Sequence, residues 1–163
     1  MGLLQPHGRG RRPFRRHALS EPASPPVIIV YSLAQAVEAL EAAAAADRNI
    51  VLLSAANAGI YAGAGWWKAL IDSARDAVPG ARLSAILDCG DDAGAAQAAL
   101  RAGIEAIIFT GRADVAERLA AIAGQQGAQL LTTRPRPLLD LGELFFASPD
   151  TLRERCADAL ASV

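Results

Sequence analysis

The chain has 163 residues, 52% apolar and 20% charged, with a formal net charge of −1. That length and balance fit one globular domain with a real core and exclude a largely disordered or membrane-spanning chain. Two cysteines, Cys89 and Cys156, are too few and too far apart for a disulfide framework, and no paired CxxC spacing suggests a metal knuckle, so a reducing compartment, the cytoplasm, is expected.

Residues 1–26 differ from the rest. They hold five arginines (Arg9, Arg11, Arg12, Arg15, Arg16) and both histidines, with no acid before Glu21. This composition reads as a disordered basic tail on an acidic body, since removing the five arginines leaves the remainder at −6. The cluster has one interleaved aromatic, Phe14, and no reading motif, which argues against nucleic acid as the partner. Arg11-Arg12 ahead of Phe14 resembles a twin-arginine export signal, but Glu21 and prolines stand where an apolar stretch should follow.

From residue 27 to 163 the pattern predicts one α/β domain. Apolar runs begin near Val27, Ile50, Leu83, Ala106 and Gln129, at intervals of 23, 33, 23 and 23 residues. Helix-period segments separate them. Ser32 with Gln35 forms a capping box before a stripe at Leu33, Val37, Leu40 and Ala44. Trp67, Leu70, Ile71, Ala74 and Val78 make a second stripe, and Val115, Leu119 and Ile122 a later one. The long interval holds the loop "AANAGIYAGA". Trp66 and Trp67 are expected to pack their helix onto the sheet. A last helix is expected around Leu152, Cys156, Leu160 and Val163. Strands apolar on both faces and alternating with helices imply a parallel sheet, either a partial barrel of about five βα units or a flavodoxin-like open, doubly wound sheet. In either, ligands bind where strands end, which places Ser54, Asp88, Cys89 and Thr110 on the functional rim.

The residue inventory prunes the chemistry. Beyond the tail there is no histidine, which removes imidazole bases, Ser–His and Cys–His pairs and most zinc sites. The single lysine, Lys68, falls on a helix and reads as a surface charge rather than a Schiff-base lysine. No phosphate-binding glycine loop follows a strand.

Four features remain in register with the strands: Tyr61-Ala62-Gly63 after the second, Ile86-Leu87-Asp88-Cys89-Gly90 ending the third, Gly103, and Phe109-Thr110-Gly111 ending the fourth. Over about residues 27–132 they resemble the first half of the class II fructose-bisphosphate aldolases, which show a YAG loop, an HLDHG motif and an IDG in that order. The resemblance implies a truncated barrel in which Asp88 matches the family's acid/base aspartate. Cys89 stands where the family has a metal-binding histidine, and Thr110 replaces its aspartate. After Leu131 no glutamate ends the fifth strand, and the second half's phosphate loops are missing.

These departures imply a protein that has lost metal-dependent aldol chemistry and serves as a non-catalytic subunit, binding a small anionic metabolite through Ser54, Tyr61, Gly63, Thr110 and Gly111 or associating with a partner. No cofactor is expected, and zinc only if Cys89 joins a shared site, since one thiolate does not make the three-ligand cage of a catalytic zinc. A lyase of sugar phosphates, its site completed by a partner subunit with Asp88 as acid/base, is the alternative. A receiver-like signalling domain, suggested by Asp88, Thr110 and Arg134-Pro135 at successive strand ends, lacks the acidic pair and lysine that such domains need. Asp88 also has a plainer reading as the cap of the following helix, and Cys89 as a small core side chain. Two open sheet edges and the apolar "LGELFF" at 141–146 predict a homodimer.

Overall fold

The computed structural model describes residues 24–163. The tail expected over 1–26 falls outside them except for Ser24, Pro25 and Pro26, which lead directly into the first strand. The elements run β1 (Val27–Val30), α1 (Leu33–Ala45), β2 (Ile50–Ser54), α2 (Ala58–Tyr61), α3 (Ala64–Ala77), β3 (Leu83–Asp88), α4 (Ala93–Arg101), β4 (Ala106–Ile108), α5 (Ala113–Gln125), β5 (Gln129–Leu131), β6 (Leu139–Asp140), a 3-10 turn (Gly142–Leu144) and α6 (Pro149–Ala161). All five predicted strands form at their expected starts, and the loop "AANAGIYAGA" contains the short α2.

The strands make one parallel sheet in the order β5-β4-β3-β2-β1-β6. Consecutive strands are neighbours, with no point where the order reverses. Side chains alternate along each strand, so Ile28, Val30, Leu52, Ala85, Leu87 and Ile107 share one cluster with residues of α1, α3, α4, α5 and α6. Ile29, Leu53, Ile86, Ala106 and Ile108 form a second cluster that contains no helical residue. All the long helices therefore cover one face, as in a barrel, which excludes the doubly wound alternative. The sheet is an open partial barrel.

The sixth strand was not expected from the sequence. Residues 132–138 carry the chain from β5, at one edge, to β6 at the other, and β6 pairs with β1 through Leu138 N–H to Val27 O (2.8 Å) and Leu141 N–H to Ile29 O (3.1 Å). The two edges of the open sheet are both short, β5 with three residues and β6 with two. Ser32 caps α1 as predicted, accepting from Gln35 N–H (3.3 Å), but the Gln35 amide is used differently from a capping box. Its Oε1 accepts from Tyr31 N–H (2.8 Å), and its Nε2 donates to Leu141 O (2.7 Å), so a fully buried amide ties β1, α1 and β6 together. Trp67 is buried, whereas Trp66 is exposed, and α5 buries Ala116, Leu119 and Ala123 rather than Ile122. Among the described residues no helix is long and apolar enough to cross a membrane.

Candidate functional site

The carboxyl ends of β2 and β3 and the residues after β5 meet at one point. Asp88, the last residue of β3, shares a face with Ile86, the face that carries no helix. It is 4% exposed, and every part of its carboxylate is engaged. Oδ1 accepts from Gly90 N–H (2.8 Å) and Asn57 N–H (3.2 Å), and Oδ2 forms an ion pair with the Arg134 guanidinium. The second Arg134 nitrogen donates to Ser54 O (2.7 Å), and the Ser54 hydroxyl accepts from Asp88 N–H (2.9 Å) while donating to Ala55 O (2.9 Å). Arg134 thus bolts the ends of β2 and β3 together from the connection that crosses to β6.

Two residues in left-handed backbone frame the carboxylate. Asn57 (φ 61°) and Gly90 (φ 55°) both turn their N–H groups onto it, and a Cβ at Gly90 would lie 2.2 Å from Asn57 Oδ1. A non-glycine residue held at positive φ is uncommon and is sustained only by its surroundings. The expected helix cap is not Asp88. Asp92 caps α4, its Oδ1 accepting from Ala95 N–H (2.8 Å).

Cys89 lies on the opposite side of the sheet from this carboxylate. Fully buried in the helix-side cluster, it packs beneath α2, where a Cβ added to Gly59 would sit 2.8 Å from its Sγ. Burial first, then the charges of Asp88 and Asp92, push the thiol up to about 12. A protonated thiol facing a hydrocarbon core is a poor ligand, since metals bind the thiolate. Among the described residues no group of three His, Cys, Asp or Glu side chains converges in a way that would hold a metal ion, so the donor set does not fit the zinc that the resemblance implies.

The other predicted site residues scatter. Thr110 is exposed and joins the rim only through its N–H, which donates to Gly90 O (2.7 Å). Gly111 makes room for the Phe109 ring, since a Cβ there would fall 2.3 Å from its Cζ. Gly63 (φ 85°) turns the chain from α2 into α3, and Tyr61 is 84% exposed. The structure therefore brings together Ser54 and Asp88 but not Tyr61 or Gly63. Arg134 was read only as a strand-end residue of the receiver-like alternative; its ion pair with Asp88 was missed, because "TTRPRP", with two arginines, does not show that the chain returns across the sheet. Tyr31 and Asp140 extend the rim beyond β1 and β6: the phenol donates to Asp140 Oδ2 (3.4 Å), and burial with this carboxylate raises its pKa against the opposing pull of Arg134.

No family model matches the chain, and no curated protein matches it. Among solved structures it is similar to a provisionally assigned fructose-1,6-bisphosphate aldolase from Coccidioides immitis, at 18% identity and a TM-score of 0.55 over 66% of this chain and 44% of that one. The chain thus matches less than half the length of that protein, and at this identity the likeness is one of fold: an aldolase-like, open α/β half-barrel.

Proposed function

We propose that this protein is a non-catalytic relative of the aldolase-like barrels whose strand-end rim serves association rather than carbon–carbon bond chemistry. The observation that carries this reading is the state of Asp88. An acid/base group needs an oxygen free to meet a substrate proton, whereas both oxygens of Asp88 are committed to Arg134 and to two backbone N–H groups. The apolar face beneath it, with Ile29, Leu53, Ile86 and Ile108 nearly inaccessible, leaves little for a polar substrate to touch.

Of the two non-catalytic roles, charge favours association over binding of an anionic metabolite. The rim carries Asp91, Asp92, Asp114, Asp140 and Glu143 beside Asp88, and its guanidiniums, Arg112 and Arg134, are already paired with Asp114 and Asp88. Such a surface repels phosphates and carboxylates. The test is aldol cleavage of fructose 1,6-bisphosphate with zinc, cobalt or manganese supplied. No turnover above background is expected. Metal-dependent turnover lost in Asp88→Asn would restore a lyase.

A further inference from the structure

Of the eight exposed large apolar side chains among the described residues, all but Ile122 on α5 and Val163 lie past the carboxyl ends of neighbouring strands. Leu33 opens α1 just past β1, Ile60 and Tyr61 end α2 past β2, Trp66 lies in the first turn of α3, and Phe145 and Phe146 follow β6. Because β2, β1 and β6 are neighbours, these six residues share one side of the carboxyl-terminal rim. Tyr61 and Phe146 are 84% and 95% exposed, and Phe145 and Phe146 stack edge to face at 5.1 Å. Aromatic surface grouped this way marks an interaction site. Its surround is acidic: Asp140, Glu143 and Asp150 lie beside the phenylalanines, and Asp91 and Asp92 follow β3, all exposed. At the opposite end of the sheet Arg48 and Arg136 line a groove beside Ser24, Pro25 and Pro26, with Asp47 close by and paired to Arg82.

We infer that this rim is the docking site for the chain's own amino-terminal segment, residues 1–23. This rests on the association reading and names its partner. The segment sets Leu3, Leu4, Phe14 and Leu19 among five arginines, matching an apolar patch ringed by carboxylates. It joins the described residues at Ser24, at the other end of the sheet. Reach suffices: Arg9–Arg16 precede Ser24 by 8 to 15 residues, roughly 25–50 Å of extended chain, against about 13 Å for a strand of β1's four residues. Tethering also gives a weak contact a high effective concentration, of the order of millimolar. A second copy meets this rim less well, since a two-fold pairing sets like-charged carboxylates face to face.

Hydrogen exchange on the full chain tests the assignment, comparing wild type with a variant in which Arg9, Arg11, Arg12, Arg15 and Arg16 are all glutamine, at low and at 0.5 M salt. Exchange over residues 57–66 and 141–147 should accelerate about tenfold in the variant, and wild type should approach the variant in high salt, while light scattering reports a monomer for both. Phe146→Ser should expose the same segments without touching the tail. Equal exchange in wild type and variant overturns the docking and leaves the association reading standing. Protection that rises with protein concentration overturns it in favour of a second copy. Metal-dependent aldol turnover, measured on the same samples, would remove the association reading itself and this inference with it.

Discussion

Two buried thiols and one close-packed glycine make the surroundings of the rim testable at the residue scale. Burial holds Cys89 up to about 12 and Cys156 up to about 11, against an ordinary value of 9.0. Below pH 9 both thiols are protonated whether the chain is folded or not, and they are neutral to stability. Above it the unfolded chain loses protons that the folded chain keeps, so stability falls between pH 9 and about 11–12. Chemical denaturation across that window should show the loss, and Cys89→Ala with Cys156→Ala should flatten it. For the same reason neither thiol should react with an alkylating reagent at pH 8 unless the protein unfolds. Gly59→Ala pushes a methyl to 2.8 Å from Cys89 Sγ and 3.1 Å from Asp88 O. The expected cost is about 1–3 kcal/mol. In a Cys89→Ala background much of it should disappear, since the closer of the two clashes is then gone.

At the element scale the decisive contact is the one that the sequence hid. Gln35 reads as half of a capping box, yet its buried amide serves Tyr31 N–H and Leu141 O, which lie on either side of the β1–β6 pairing. Gln35→Leu strands one donor and one acceptor and should cost about 2–4 kcal/mol by chemical denaturation, at roughly 1–3 for each buried group left unmet; loss of less than 1 kcal/mol would show that β6 is held by other means. The five strands with apolar runs were legible because burial on both faces demands an unbroken apolar string. β6 was not, because it has two residues, one of them the exposed Asp140, and its pairing depends on the return of residues 132–138 across the sheet. The helix stripe at Val115, Leu119 and Ile122 slipped for a related reason: alanines are small enough to approach the sheet closely, so Ala116 and Ala123 took the buried positions. Within the site, Asp88 and Ser54 were readable from their place at strand ends. The pairing of Arg134 with Asp88 was not, since a long-range ion pair leaves no local period.

The whole molecule has to cover an open parallel sheet. β6 pairs the edge that β1 would otherwise expose, the connection after β5 crosses the sheet, and the two edges left are short, three residues of β5 and two of β6. The motive for dimerisation by edge pairing is thereby reduced, and the aromatic rim becomes the surface that most needs covering. The ion pair between Arg134 and Asp88 links this architecture to the functional reading, because it fastens the crossing connection to the very aspartate that the aldolase resemblance casts as acid/base. A catalytic carboxylate and a structural one differ in the sign of what their removal does: active-site groups are often kept at a cost in stability, whereas a buried, fully paired charge supports the fold. The unfolding free energy of Asp88→Asn, measured with Arg134→Gln and the double variant as a cycle, is therefore the most direct test. Each single change is expected to destabilise by about 2–4 kcal/mol, and the double variant by at least 1 kcal/mol less than their sum. An Asp88→Asn protein as stable as wild type or more so, with additive effects at the two positions, would contradict the account.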